Sequence, residues 1–180
     1  MAEKKYTPMM QHYLKMKEEN PDSILFYRLG DFYEMFFEDA KLVSQELDLV
    51  LTGRSAGVEE KVPMCGIPFH AANSYIQRLV KKGYKVAICE QLEDPSSAKG
   101  LVDRGIIKII TPGTYMDATM DAKSTNYMAS CDVSSFEITV IYCELSTGEL
   151  KYQTLQRSLV ALQKALLEQN VSELVCPMTM

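Results

Sequence analysis

The sequence has no surplus of positive charge. Nineteen Lys and Arg stand against 24 Asp and Glu in 180 residues, a net charge of −5. A protein that grips a polyanion by itself carries a basic surface, so the charge argues against a self-sufficient nucleic-acid binder. Dividing the chain changes little: residues 1–126 hold 16 basic against 18 acidic side chains, and residues 127–180 hold 3 against 6. Any contact with a polyanion must be local, with the phosphate grip supplied by other parts of a larger protein.

Other absences narrow the class. No apolar run reaches the roughly 18 residues a membrane helix needs, and the N-terminal Met1-Ala2-Glu3-Lys4-Lys5 lacks the apolar stretch of a secretory signal. No membrane association and a cytoplasmic location are expected. The five cysteines (Cys65, Cys89, Cys131, Cys143, Cys176) are odd in number, widely spaced and free of any CxxC pair. Reduced, mostly buried thiols are expected in place of a disulfide framework or zinc site. The two histidines, His12 and His70, have no carboxylate cluster nearby in sequence, and no metal site is expected. No GxxxxGK[ST] loop occurs, so the chain cannot hydrolyse ATP by that route. What is present is ordinary globular material, 47% hydrophobic and 24% charged, with length for one large domain or one domain plus part of another.

The element signals are well marked. Thr7 as cap and Pro8 in the first turn predict a helix with Met9, Met10, Tyr13, Leu14 and Met16 on its apolar face, ended by Asn20-Pro21-Asp22. A strand over 23–29, a tight turn at Gly30-Asp31 and a strand over 32–36 follow, then a helix from Glu38 to Leu47 and a short strand at Leu49–Thr52. Residues 53–61 read as a polar, mobile loop. The prolines in Val62–His70 predict an irregular or edge strand. A helix over 71–82 stops at Gly83, and strands cover 85–91 and 106–111, separated by turn-rich residues 93–100. The polar stretch after Pro112 reads as a boundary. The expected organisation is a first domain at 1–113, a linker at 114–126 and a second domain from 127. The latter begins with strands at 127–132, 136–145 and 149–153, a hairpin signal at Ser146-Thr147-Gly148, a helix at 157–169 and a strand at 173–176. It shows no natural end at Met180, so the second domain is expected to be cut short.

The most informative segment is Gly30-Asp31-Phe32-Tyr33-Glu34-Met35-Phe36. On an extended strand, positions two apart share a face, which puts Phe32 beside Glu34 and turns Tyr33 the other way. Two readings stand on pattern alone. Phe32, Phe36 and Phe37 can be core aromatics beside a turn, with Glu34 solvated. Alternatively, an exposed ring beside a carboxylate suits a ligand with a π face and a polar edge, such as a nucleic-acid base. A carboxylate is repelled by phosphates, so the second reading needs a specific hydrogen bond to a base edge, which a protonated carboxyl can also form.

The run Phe26–Phe36 resembles the signature of the N-terminal domain of the MutS family of DNA mismatch-repair proteins. Further matches follow in order: Leu51-Thr52, Pro63–His70, Ala87–Gln91, Asp94-Pro95 and Thr111-Pro112-Gly113-Thr114. The likeness is close over 7–126 and weaker beyond. It implies an α+β fold, a mixed β-sheet flanked by helices, followed by an incomplete ribonuclease-H-like α/β connector domain. It implies recognition of mispaired or unpaired bases in double-stranded DNA, with Phe32 wedging from the minor groove and Glu34 hydrogen-bonding the mispaired base. Tyr33 would pack on the opposite face. Leu29 matches a position at the kinked step, and Met64 and His70 match a segment lying along the DNA backbone. His70 reads equally as packing at a helix N-terminus. Arg54 can reach phosphate or stand as a solvated charge, and Lys81-Lys82 reads as helix-dipole complementation. No catalytic residue or cofactor is implied for this stretch. The longer parent is expected to be a bacterial, nucleoid-associated ATPase that uses ATP and Mg, self-dimerises and works with MutL.

Two other classes remain open on sequence. Asp31, Glu34 and Glu59-Glu60-Lys61 resemble the carboxylates and lysine of a metal-dependent nuclease. A protein-interaction module without a DNA role would gain ground if Phe32 were buried.

Overall fold

The computed structural model describes residues 6–93, 102–116 and 125–176. The chain divides into two compact units, Met1–Ile110 and Thr111–Met180. The expected Asp94-Pro95 match and most of the 93–100 turn lie outside the described residues, as does much of the 114–126 linker.

In the first unit, α1 (Pro8–Glu19) starts where the sequence predicts: the Thr7 hydroxyl accepts from the Met10 N–H at 3.4 Å, and Pro8 opens the first turn. The strands β1 (Ser23–Leu29) and β2 (Phe32–Phe36) form a hairpin closed by two residues, with Leu29 opposite Phe32. Only Gly30 of the two has positive φ, at +56°, the glycine-first pattern of a II′ turn that matches strand twist. From β2 the chain enters α2 (Phe37–Leu47) without a gap, turning through Phe37 at φ +53°. Next come β3 (Thr52–Arg54), β4 (Val62–Pro68), a 3-10 turn at Phe69–Ala71, α3 (Ala72–Lys81), β5 (Lys85–Gln91) and β6 (Arg104–Ile110). They form one mixed sheet in the order β3-β4-β2-β1-β5-β6, in which only β1 and β5 run parallel.

Two expectations need correction. The strand expected at Leu49–Thr52 lies instead at Thr52–Arg54, so the supposed loop supplies the outermost strand. The helix α2 ends in a left-handed Asp48, and the chain gains its strand partner only where it pairs with β4. Nor is the rest of that loop free, because Ala56 is fully buried and its carbonyl accepts from the Thr7 N–H at 2.8 Å. The second correction concerns β4, which is neither irregular nor an edge. It tolerates proline because Pro63 is paired only with β3 and Pro68 only with β2. Neither proline leaves a ladder bond unmade on both flanks.

One face of this sheet is packed by α1 through Met10, Tyr13 and Met16, which contact Leu25, Tyr27, Phe36, Val62, Ala87 and Cys89. The other carries Met35, Cys65 and Ile67, fully or nearly buried; the Cys65 thiol donates to the Ala40 carbonyl of α2. Among the described residues, no helix is long and apolar enough to cross a membrane.

The second unit is a meander, β7 (Tyr127–Val133), β8 (Glu137–Glu144) and β9 (Glu149–Gln156), then α4 (Leu159–Glu168) and β10 (Val171–Val175). The sheet order is β10-β7-β8-β9, with β10 parallel to β7 and the other pairs antiparallel. The Thr111–Thr114 motif is a turn held by Glu173, whose carboxylate accepts from the Thr111 hydroxyl and, at 3.0 Å, from the Gly113 N–H. A Cβ at position 113 would lie 2.9 Å from the Glu173 Cβ, which is why glycine stands there.

Candidate nucleic-acid interface

The register of β1, β2 and β4 places the singled-out residues in rows across one face. Leu29, Phe32 and Pro68 form the row at the hairpin tip. Tyr27, Glu34 and Gly66 form the next, and Phe36 with Met64 the one after. Strand alternation puts all of these side chains on the α1 face, but α1 covers only one end of it. Phe36 is 1% exposed under Tyr13, their ring centroids 4.9 Å apart. Phe32, two repeats of the pleat further along, is 47% exposed. A ring half out of the surface at a strand start is not a core residue. The three-aromatic core reading therefore holds for Phe36 and for the partly buried Phe37, which packs against Tyr6 and Tyr13, and fails for Phe32.

Glu34 is not solvated either. Its side chain is 15% exposed and forms an ion pair with Arg54, itself 37% exposed. Arg54 is the last residue of β3, opposite Val62 of β4, so its side chain spans β4 to reach β2. The guanidinium also lies 6.0 Å from the Phe36 ring centroid. Gly66 lies beside Glu34: a Cβ there would sit 3.6 Å from the Glu34 Cγ, an ordinary contact. Sequence reasoning assigned Arg54 to a mobile loop and missed its partner, because no local signal links positions 34 and 54.

The tip is braced from the opposite face. Tyr33 is buried, as its place on the strand implies, and its hydroxyl donates to the Glu90 carboxylate. Burial and the neighbouring Glu90 carboxylate push the Tyr33 phenol up to about 12. Arg28 pairs with Glu90 at 3.3 Å and lies 3.7 Å over the Phe69 ring. The Phe69 N–H donates to the Asp31 carbonyl at 2.9 Å, tying the 3-10 turn to the hairpin. His70 is exposed on that turn, edge-on to Phe69 with centroids 5.8 Å apart. Met64 is half-buried, and Thr52 donates to its carbonyl at 3.1 Å. Leu29 is partly buried against the α1-side core.

The arrangement offers an exposed ring, a carboxylate held next to it and a rigid two-strand support. Its residue types suit stacking plus one polar contact. Among the described residues, no three or more His, Cys, Asp or Glu come together as metal ligands would, and Glu34 pairs with Arg54.

The family model for MutS domain I matches residues 7–119. This chain belongs to the MutS domain I family. The match covers the whole candidate interface and runs past β6. Among curated relatives, the DNA mismatch repair protein MutS of Clostridium botulinum strain Loch Maree is 54% identical over 177 residues, covering 93% of this chain and 19% of that protein. The MutS protein of Clostridium tetani is 58% identical over 146 residues, covering 81% of this chain and 17% of that protein. The chain thus spans about a fifth of the length of the MutS relatives it matches. The α+β sheet of the first unit is consistent with that family, and Gly30, Phe32, Glu34 and Gly66 all lie inside the matched span.

Proposed function

We propose that this chain recognises mispaired or unpaired bases in duplex DNA, with Phe32 as a wedge entering from the minor groove and Glu34 as the polar contact to the displaced base. The observation that carries the reading is the half-exposed Phe32 ring, set on the same strand face as Glu34 and at the end α1 leaves open. Inserting an apolar ring between base steps costs a few kcal/mol of unstacking, least where pairing is already defective. Selectivity then follows the deformability of the lesion more than any base code, and several kinds of mispair can be accepted by one site. Leu29, next to Phe32, would touch the kinked step, with Met64 and His70 toward the backbone.

The net charge of −5 gives little counterion-release drive, so phosphate affinity is assigned to the rest of a longer protein. In this proposal that protein is a dimeric, ATP-dependent clamp that works with MutL at the bacterial nucleoid. The second unit would begin its connector domain; an antiparallel meander, a helix and a strand parallel to the first support a ribonuclease-H-like topology. The chain lacks a GxxxxGK[ST] loop, so in this proposal ATP and its magnesium belong to the rest of the longer protein.

The test is a fluorescence anisotropy titration of the full-length protein and its Phe32→Ala variant onto homoduplex and onto a duplex with one unpaired thymine. Loss of the lesion preference with homoduplex binding little changed supports the wedge. Retention of the preference returns Phe32 to the surface of the fold.

A further inference from the structure

The ion pair between Glu34 and Arg54 links two strands that do not pair with each other, each of which is already held to β4 by its own ladder. β3 pairs with β4 through Thr52, Gly53 and Arg54, and Arg54 faces away from the α2-side core. Its guanidinium nevertheless crosses β4 to Glu34, the carboxylate on the same strand face as the wedge. Without a counter-ion, Glu34 would meet approaching DNA as a bare negative charge, opposing the phosphates and pulling Phe32 away from the groove with it. We infer that Arg54 is a positioning residue for lesion recognition: it neutralises Glu34 and holds its carboxylate on the wedge face until a displaced base takes over as partner.

The inference rests on the function proposed above and goes beyond it, since Arg54 then governs discrimination and not simply phosphate affinity. The two roles separate physically. An arginine that only contacts phosphate contributes equally to every duplex and adds about one unit to the slope of log affinity against log salt. An arginine that acts through Glu34 matters only while Glu34 is a carboxylate.

A double-mutant cycle decides between them. Arg54→Met, Glu34→Gln and the double variant of the full-length protein are titrated onto homoduplex and onto the unpaired-thymine duplex at three salt concentrations, with Phe32→Ala in parallel. Arg54→Met alone is expected to lower the ratio of lesion to homoduplex affinity about tenfold, whereas in the Glu34→Gln background it changes that ratio by less than about twofold. Arg54→Lys keeps the charge and is expected to recover part of the ratio, which an unfolding defect would not explain; melting curves of all variants control for folding. Equal weakening on both duplexes in both backgrounds, with a smaller salt slope, makes Arg54 a phosphate contact and overturns the inference. So does an unchanged ratio for Arg54→Met. If Phe32→Ala leaves the lesion preference intact, the functional reading itself has failed; if Phe32→Ala abolishes it while Glu34 and Arg54 show no coupling, only the role given to Arg54 falls.

Discussion

Phe32 and Phe36 occupy the same strand and the same face, four residues apart, yet one is 47% exposed and the other 1%. The residue type does not make the difference. α1 does: Tyr13 stacks edge-on against Phe36, its hydroxyl accepts from the Phe36 N–H at 3.2 Å, and the same oxygen lies 3.3 Å from the Phe36 carbonyl. Around it, Asp39 accepts from the Leu25 N–H and from Lys17, both at 2.9 Å, joining β1, α1 and α2. The covered end of β2 is a clamp, and the uncovered end is a platform. A rigid core four residues away is what would let a half-exposed ring keep its orientation if pushed against DNA as proposed.

The largest effect should come from breaking the covered end. Phe36→Ala is expected to cost about 3–5 kcal/mol in denaturant unfolding, as large-to-small changes of buried aromatics do, whereas Phe32→Ala should stay within about 0.5 kcal/mol of the parent. Similar losses for both would erase the contrast. Asp39→Ala comes next, at about 2–3 kcal/mol, because it leaves the buried Leu25 N–H without an acceptor and Lys17 with the Ser23 carbonyl but no carboxylate. Gly30→Ala strikes the tip instead. At φ +56° no neighbouring atom obstructs a Cβ, so the cost is backbone strain alone, about 1–2 kcal/mol. An unaffected stability would mean the turn relaxes to another type.

The smallest effect is one of pH. Cys89 lies in the α1-side core, and burial pushes its thiol up from 9.0 to about 11. The folded state therefore holds this proton more tightly than the unfolded state. Its contribution is complete below about pH 9 and is lost as pH rises from there through 11. Over that window Cys89→Ala should lose less stability than the parent, by on the order of 1 kcal/mol. Parallel curves for the two proteins would contradict the burial of this thiol.

Much of this architecture was legible in the sequence because its signals are local. Thr7-Pro8 marks α1, Gly30-Asp31 marks the hairpin, and Gly83 ends α3. The pairing of Phe32 with Glu34 on one face follows from strand alternation alone. What could not be read is non-local. Thr52–Arg54 becomes a strand only because β4 is there to pair with it, and Pro63 and Pro68 suggested an edge because their unshared registers with β2 and β3 are set by the sheet. Nothing in the neighbourhood of Arg54 announces Glu34, twenty residues earlier. Which of three nearby phenylalanines would be exposed depended on where α1 ends over the sheet, a matter of packing and not of propensity.

The most direct measurement places a photo-reactive benzophenone side chain at position 32 of the full-length protein and maps its cross-links on a duplex with one unpaired thymine and on the matching homoduplex. The expected result is adducts confined to the base step at the lesion, with little on homoduplex. Adducts spread evenly along both duplexes, or none on either, would contradict the placement of Phe32 at the lesion.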